Sequence, residues 1–249
     1  MSGHSKWANT KHRKARADAQ KGKIFTKIAR EITVAAREGG DDLDANFRLR
    51  LAVQKARDNN MPGDNIDRAI QKGIGGGEGT SFEQASYEGY AAGGVAVLVD
   101  IMTDNRNRTA AEIRHIFSKH GGSLGESGCV AWMFKRKGLI TINKEDLQIG
   151  EDDLMLVAIE AGAEDLKQED DETYSIITEL DNFEEVKQKL QDEGIKIASS
   201  DITMLPNNSI EITDPEMAGR IIKLMETLDE HDDVQNVFAN YDIPEELLA

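Results

Sequence analysis

The spacing of apolar residues predicts three amphipathic helices in the first third of the chain. Apolar side chains recur there every three or four positions, which is typical of a helix that packs one face against a core. Gly-Gly and Pro-Gly pairs follow the first two periodic stretches, and such pairs commonly end helices. The predicted helices run from Lys23 to Glu38, from about Ala45 to Asn59, and from an N-cap at Asp64 to Gly73. Together they predict a small helical domain over residues 1–79.

Beyond the glycine-rich stretch Gly73–Thr80 the pattern changes to alternating strands and helices. That stretch lacks the Gly-Lys-Ser/Thr ending of a phosphate-binding loop, so it is interpreted as a linker. The predicted strands cover residues 86–91, 95–101, 129–134, 139–143, 165–168, 173–178, 196–205, 209–212 and 234–240. The predicted helices are one opened by a capping box at Thr109–Glu112, one over 152–161, one over 183–193 capped by Asp181, and one opened by Asp214-Pro215.

The order of these elements predicts the domain organisation. The stretch 136–205 reads βαββαβ, which is a complete split βαβ domain by itself. The strand, helix and strand that follow complete nothing alone, so they are paired with residues 80–135. The predicted class is therefore α+β multidomain: a three-helix N-terminal domain, then two ferredoxin-like-type α/β domains, with 136–205 inserted between 80–135 and 206–240. The last residues, 242–249, are predicted to be a tail.

Charge divides the chain in a way that the hydrophobic pattern does not show. The formal net charge is −16. Residues 1–72 nevertheless hold 16 basic and 9 acidic side chains, whereas the remainder holds 14 and 37. The first thirty residues carry nine Lys or Arg against one acid, and up to about residue 20 they have almost no apolar residue except Trp7. Such an arm cannot offset its ordering entropy alone, and its charge favours a polyanion as partner.

Candidate nucleic-acid-binding residues follow from this charge pattern. On a helix, Arg16 and the cations from Lys23 onward form one stripe; a solvated helix face is the alternative interpretation. Arg106 and Arg108 open a helix, where free N–H groups favour anions, and ordinary capping is the alternative. Lys135-Arg136-Lys137 is expected to form a turn nearby. Trp7 either stacks on a base or fastens the arm to the helical domain. The candidates are Lys6, Trp7, Lys11, Arg13, Lys14, Arg16, Lys23, Lys27, Arg30, Arg106 and Arg108.

Several function classes have no support in the sequence. The longest apolar run, Gly94–Val99, is too short to span a membrane, and the N-terminus lacks the apolar core of a signal peptide. A single cysteine, Cys129, excludes an internal disulfide, and the five histidines match no ligand spacing. No catalytic motif is present. We therefore expect a cytoplasmic protein that is not an enzyme. We expect it to use no cofactor, metal or small-molecule substrate and to have no membrane as partner.

Six spaced motifs resemble one known family, the YebC/PmpR family. They are Gly3-His4-Ser5-Lys6-Trp7-Ala8, Lys11-His12-Arg13-Lys14, Gly22-Lys23-Ile24-Phe25, Asn59-Asn60-Met61-Pro62, Tyr87-Glu88-Gly89-Tyr90 and Asp104-Asn105-Arg106-Asn107-Arg108-Thr109. The resemblance implies a helical N-terminal domain followed by two α/β domains, and a regulatory rather than catalytic role. Family members are described as transcriptional regulators that bind DNA. Relatives that include a mitochondrial translational activator are instead tied to the ribosome.

Three hypotheses stay open at this point. The first is a DNA-binding transcriptional regulator, although the body is acidic and no base-reading helix is evident. The second is a translation factor bound to ribosomal RNA, which an acidic body with a basic arm suits. The third is a scaffold whose arm binds an acidic protein.

Overall fold

The computed structural model describes residues 18–75, 82–168, 172–244 and 247. The helices are α1 (Asp18–Gly39), α2 (Phe47–Asp58), α3 (Gly63–Ile74), α4 (Arg106–Lys119), α5 (Glu151–Glu160), α6 (Phe183–Asp192) and α7 (Pro215–Asp229), with short 3-10 helices at Ala92–Gly94, Ala131–Met133 and Lys144–Asp146. The strands are β1 (Glu83–Tyr90), β2 (Ala96–Thr103), β3 (Ser123–Leu124), β4 (Phe134–Asn143), β5 (Asp165–Gln168), β6 (Thr173–Thr178), β7 (Ser199–Pro206), β8 (Ile210–Glu211), β9 (Val234–Ala239) and β10 (Tyr241–Asp242).

The first three helices pack around one apolar core, as the spacing predicts. Ile32 of α1 and Leu49 of α2 are fully buried there. Asn46 fixes the entry to α2, because its side-chain oxygen accepts the N–H of Leu49 and its amide donates to the carbonyls of Ala35 and Gly40. The predicted N-cap of α3 is wrong: the cap position is Pro62, and Asp64 lies within the first turn.

An antiparallel sheet in the order β3-β1-β2-β9 forms the next layer. Successive side chains along a strand point to opposite faces of the sheet, so Val97 and Val99 of β2 face the same core. The helices α4 and α7 contribute Phe117 and Leu224, among others, to this core. The opposite face carries a smaller cluster of Ala96, Leu98, Val130, Phe134 and Phe238. A short parallel pair, β8 with β10, extends the region near the end of the chain.

A second antiparallel sheet, β5-β6-β4-β7, carries α5 and α6 on one face. The connectivity from β4 to β7 is βαββαβ, with the strand order of a ferredoxin-like fold. Gly138 in β4 is required by packing, since a Cβ there would overlap the ring of Phe183 and the hydroxyl of Thr178. The predicted α+β class, with a helical N-terminal part followed by α/β units, is confirmed; the exact boundaries of the domains stay predictions.

Two predicted elements around residues 129–137 are wrong. Residues 129–133 are a loop and a 3-10 helix rather than a strand, because the buried Glu88 accepts the N–H groups of Val130 and Ala131. The stretch 135–137 is not a turn, since it belongs to β4 and pairs with residues 203–205 of β7.

Two predicted helix caps are also wrong. The helix α4 begins at Arg106, because Asn105 accepts the N–H of Arg108, so the capping box at Thr109 does not form. The residue before α6 is Asn182, without a side-chain capping bond, and not Asp181. By contrast, Asp214 caps α7 as predicted, accepting the N–H of Met217.

Candidate nucleic-acid interface

The candidate residues fall into two sets. Lys6, Trp7, Lys11, Arg13, Lys14 and Arg16 lie outside the described residues. The other five are described: Lys23, Lys27 and Arg30 on α1, and Arg106 and Arg108 in the first turn of α4.

The basic face of α1 meets the turn between α7 and β9. Lys23 donates to the carbonyl of Glu230 at 3.2 Å, and Lys27 donates to the carbonyl of Asp229 at 2.5 Å. Cations are favoured at this position because the C-terminus of a helix presents unsatisfied carbonyls and a partial negative charge. A cleft lined by Gly22, Lys23, Thr26, Lys27, Arg30 and Asp232 lies along this contact. The stripe predicted from the sequence is therefore largely turned toward the protein's own backbone.

Arg30 and Arg108 converge on one buried carboxylate, Asp233. The side chain of Asp233 is only 6% exposed. One of its oxygens accepts from Arg30 at 3.1 Å, and the other accepts from Arg108 at 2.7 Å. The second oxygen also accepts from the hydroxyls of Thr103 at 3.0 Å and Thr109 at 2.7 Å. We call these five residues the Asp233 junction; it joins α1 to β2, to α4 and to the start of β9.

The hydrogen bonds of the Asp233 junction keep its carboxylate charged. Burial raises the pKa of Asp233, but donation from Arg108, Thr109 and Thr103 outweighs it and holds the pKa below its usual range. The same ion pair raises the pKa of the Arg108 guanidinium. Arg30 additionally stacks over the ring of Phe82, with 5.2 Å to the centroid. Two of the predicted phosphate-binding cations thus have a well-defined structural role.

Arg106 differs from Arg108 although both lie in the first turn of α4. Its side chain is exposed, and it forms no ion pair within the described parts of the chain. Its carbonyl accepts the hydroxyl of Tyr87, which ties the backbone but leaves the guanidinium at the surface.

The Asp233 junction and the residues next to it include three side chains of the types that bind metals. Glu112, His231 and Asp233 place one ligand atom each within 4.8 Å of one another. The His231 Nε2 lies 2.9 Å from a Glu112 carboxylate oxygen, and its Nδ1 accepts the N–H of Asp233. Since both imidazole nitrogens are engaged and Arg108 already places positive charge on Asp233, the group fits an internal ion-pair network better than a metal centre.

A second cation-bearing surface begins just before β4. Trp132 is 68% exposed, and its indole N–H donates to the carbonyl of Cys129 at 3.2 Å. Lys135 and Arg136, which follow shortly after it, are exposed, whereas Lys137 is buried between the carboxylates of Glu164 and Glu179. We call Trp132, Lys135 and Arg136 the Trp132 platform. Sequence reasoning noted the cations but missed Trp132, for which the only signal was an aromatic residue three positions before them.

Glu88 braces the backbone beneath the Trp132 platform. Its side chain accepts the N–H groups of Gly128 at 2.6 Å, Val130 at 2.7 Å and Ala131 at 2.7 Å. Burial raises the pKa of Glu88, but these three bonds to the charged form outweigh it and lower the pKa overall. The segment Tyr87–Tyr90 therefore has a structural role in holding this loop.

The chain is similar to known proteins along nearly its whole length. Residues 5–76 match the model described as "TACO1/YebC protein N-terminal domain", and residues 82–241 match "TACO1/YebC second and third domain". A "Probable transcriptional regulatory protein" of Desulfitobacterium hafniense is 60% identical over 99% of this chain and 98% of the relative. A protein of the same name from Syntrophomonas wolfei is 56% identical over 100% and 99%.

A solved structure is similar in fold as well. The protein in the crystal structure of a conserved hypothetical protein from Aquifex aeolicus is 50% identical in sequence to this chain. The two structures superpose with a TM-score of 0.85, over 95% of this chain and 96% of the Aquifex chain. In the described residues, no helix combines the length and the apolarity needed to cross a membrane.

Proposed function

This chain belongs to the TACO1/YebC family, and from that premise we propose that it is a nucleic-acid-binding regulatory protein, with DNA as the first candidate target. The relatives' shared name supports a regulatory role. Transcriptional regulation is not an enzyme class, and we propose a non-catalytic role in the cytoplasm.

The observation that carries this proposal is the separation of charge along the chain. Nine cations and one acid stand in the first thirty residues, ahead of a remainder rich in carboxylates. The internal acceptors near α1 are already engaged by Lys27 and Arg30. We therefore propose that the arm that precedes α1 makes most of the phosphate contacts. Lys27 and Arg30 instead fasten α1, which follows the arm, to the rest of the protein.

Salt dependence of binding tests this assignment. For duplex DNA, the slope of log affinity against log salt is about −0.9 for each neutralised phosphate. Changing Lys11, Arg13, Lys14 and Arg16 to Ala should weaken binding and reduce that slope by up to about 3.6. A matched control changes four cations on the acidic body, Lys189, Lys196, Arg220 and Lys223, each of which pairs with a carboxylate of the same body. An arm variant that binds like this control would contradict the assignment.

One feature of α3 counts against major-groove readout of DNA, which the second candidate, a translation factor bound to ribosomal RNA, does not require. In a helix-turn-helix the N-terminal residues of the second helix approach base edges in the major groove. In α3 these positions carry Asp64 and Asp67, both exposed, and their charge would repel a DNA backbone. Crosslinking in cells, followed by sequencing of the bound nucleic acid, separates the two candidates: promoter fragments support the first, and ribosomal RNA supports the second.

A further inference from the structure

Trp132 is the most exposed large apolar side chain in the described part of the chain. It is 68% exposed, whereas the next two, Leu156 and Ile159, are each 57% exposed. An indole left in water forgoes the favourable burial of a large aromatic surface. An exposed tryptophan therefore needs a reason other than folding.

The structure holds Trp132 in place instead of leaving it on a loose loop. Its indole donates to the carbonyl of Cys129, which in turn accepts the hydroxyl of Tyr90 at 3.0 Å. Glu88 fixes the N–H groups of Val130 and Ala131, just before Trp132. The side chain of Asn207 donates to the backbone carbonyl of Trp132 at 3.2 Å. A ring positioned in this way loses little additional conformational entropy when a ligand stacks on it.

The hydrogen bonding of the indole determines what a ligand can use. Because its N–H is engaged by the Cys129 carbonyl, the part left for a partner is the flat π face. A π face is recognised by another flat ring or by a cation. The charges that follow Trp132 along the chain are cations, and Lys135 and Arg136 are exposed and form no ion pair within the described residues. A cationic ligand is therefore disfavoured, and a flat ring that carries negative charge fits best.

Two acidic groups lie in this part of the chain, and neither forms an ion pair with Lys135 within the described residues. Glu126 is exposed in the preceding loop, and the charge of Arg136 acts on the carboxyl of Asp100, whose pKa is raised by burial. Lys135 lies three residues from Trp132, which is about 10 Å at full extension, so its side chain can reach a phosphate attached to a ring on Trp132. Lys135-Arg136-Lys137 is also the only run of three consecutive Lys or Arg in the whole sequence.

We propose that the Trp132 platform binds an unpaired nucleotide, with the base stacked on Trp132 and the backbone phosphate held by Lys135. Arg136, the next residue of β4, points to the opposite face of the strand and adds positive charge to the region. This inference rests on the proposed nucleic-acid function and adds to it a second contact point, distant in sequence from the basic arm. Stacking of this kind tolerates any base, because every base has a π face. The shared ligand chemistry is single-stranded DNA or an unpaired stretch of RNA.

Tryptophan fluorescence tests the stacking directly. The chain contains two tryptophans, so Trp7→Phe leaves Trp132 as the sole indole in the full-length protein. Titration with oligo(dT) and oligo(rU) should quench its emission, and a duplex of equal length should quench it much less; the two single strands together show whether the sugar matters. Emission that responds only to polyglutamate or to phosphatidylglycerol vesicles would overturn the proposal in favour of a protein or membrane partner.

Affinity measurements on the otherwise native chain complete the test. Trp132→Ala should weaken binding of both single strands by about 5- to 100-fold, and Trp132→Phe by less, because a smaller ring still stacks. Leu156→Ala, at a similarly exposed apolar position, should leave the affinity unchanged. If the wild type binds but Trp132→Ala binds equally well, the inference is overturned while the proposed function stands. If the wild type binds no nucleic acid at all, both are overturned.

Discussion

At the Asp233 junction, Arg30 and Arg108 both reach one carboxylate that is almost fully buried, whereas at the Trp132 platform Lys135 and Arg136 extend from the start of a strand into solvent. The first arrangement ties three parts of the fold together. The second adds nothing visible to the packing of the described chain. Cations of the same type thus serve structure in one region and remain accessible to a partner in the other.

The difference comes from the acidic groups that tertiary structure brings near. Lys137 shows this within one strand, since it lies next to Arg136 in sequence but is buried between Glu164 and Glu179. Removing one partner of a buried charge pair is costly, whereas surface ion pairs contribute about 0–1 kcal/mol. The two regions should therefore separate clearly in stability and in binding.

The largest loss of stability is expected from Asp233→Ala. The change leaves two guanidinium groups and two threonine hydroxyls without their common acceptor, so we expect a loss of about 3–5 kcal/mol in the free energy of unfolding. Chemical denaturation measures it. The matched control is Asp232→Ala: Asp232 is exposed, and Arg30 contacts its carbonyl oxygen, which the substitution keeps. A junction variant as stable as this control would show that the network is not structural.

A somewhat smaller loss is expected from Glu88→Gln, which tests the brace beneath the Trp132 platform. The amide offers one acceptor where three backbone N–H groups point, so we expect a loss of about 2–3 kcal/mol. Glu83→Gln, exposed on the same strand, is the control. Because the brace positions Trp132, the emission of this indole, measured in the Trp7→Phe background, should also shift toward that of a solvated, mobile indole. An unchanged emission spectrum would show that other contacts position the ring.

A substitution pair within one helical turn sharpens the comparison. Arg108→Ala removes one of the two guanidinium groups at Asp233, and we expect a loss of about 1–2 kcal/mol. Arg106→Ala removes an exposed side chain two residues away and should change stability by less than about 0.5 kcal/mol. Thermal or urea unfolding of the two variants side by side measures the difference. Equal effects would mean that the ion pair of Arg108 with Asp233 does not separate their roles.

Low pH should reproduce part of the loss of stability that Asp233→Ala causes, because protonation removes the charge of the carboxylate but keeps its atoms. The pKa of Asp233 is lower in the folded chain than in the unfolded chain, where the pKa of aspartate is about 3.9. Its contribution is therefore complete above that value and is lost as the pH falls through the folded pKa. The stability advantage of the wild type over Asp233→Asn should shrink below about pH 4. An advantage that stays constant down to pH 3 would contradict the lowered pKa.

Local sequence signals predicted much of the fold. The strands 165–168 and 173–178 were predicted with their observed ends, because alternating residues between turn signals specify a strand within a few positions. The cap at Asp214 was also correct, since it depends only on residues three apart. The errors have distant causes. Residues 129–133 are held out of the sheet by Glu88, some forty residues earlier, and Thr109 turns its hydroxyl to Asp233 rather than capping α4.

The candidate site was predictable in charge but not in geometry. The cations of α1 and α4 are evident from composition, yet their acceptor Asp233 lies 203 residues from Arg30 and 125 from Arg108. No periodicity links positions so far apart. Trp132 was missed for the same reason, because its exposure depends on contacts with Cys129 and Asn207 that only the folded chain brings together.

The smallest effect on stability, and the sharpest contrast with the junction, is expected at Lys135 and Arg136. Changing both to Ala should alter the free energy of unfolding by less than about 0.5 kcal/mol for each residue, because both are exposed. Binding of a single strand should nevertheless weaken, and its salt slope should fall by about 0.7 for each phosphate that is no longer neutralised. Lys144, in the 3-10 helix that follows β4, and Lys167 of β5 provide the control pair. If this control lowers the slope as much as the platform variant does, the effect reflects net charge alone, and the two cation-rich regions would no longer differ in the way proposed.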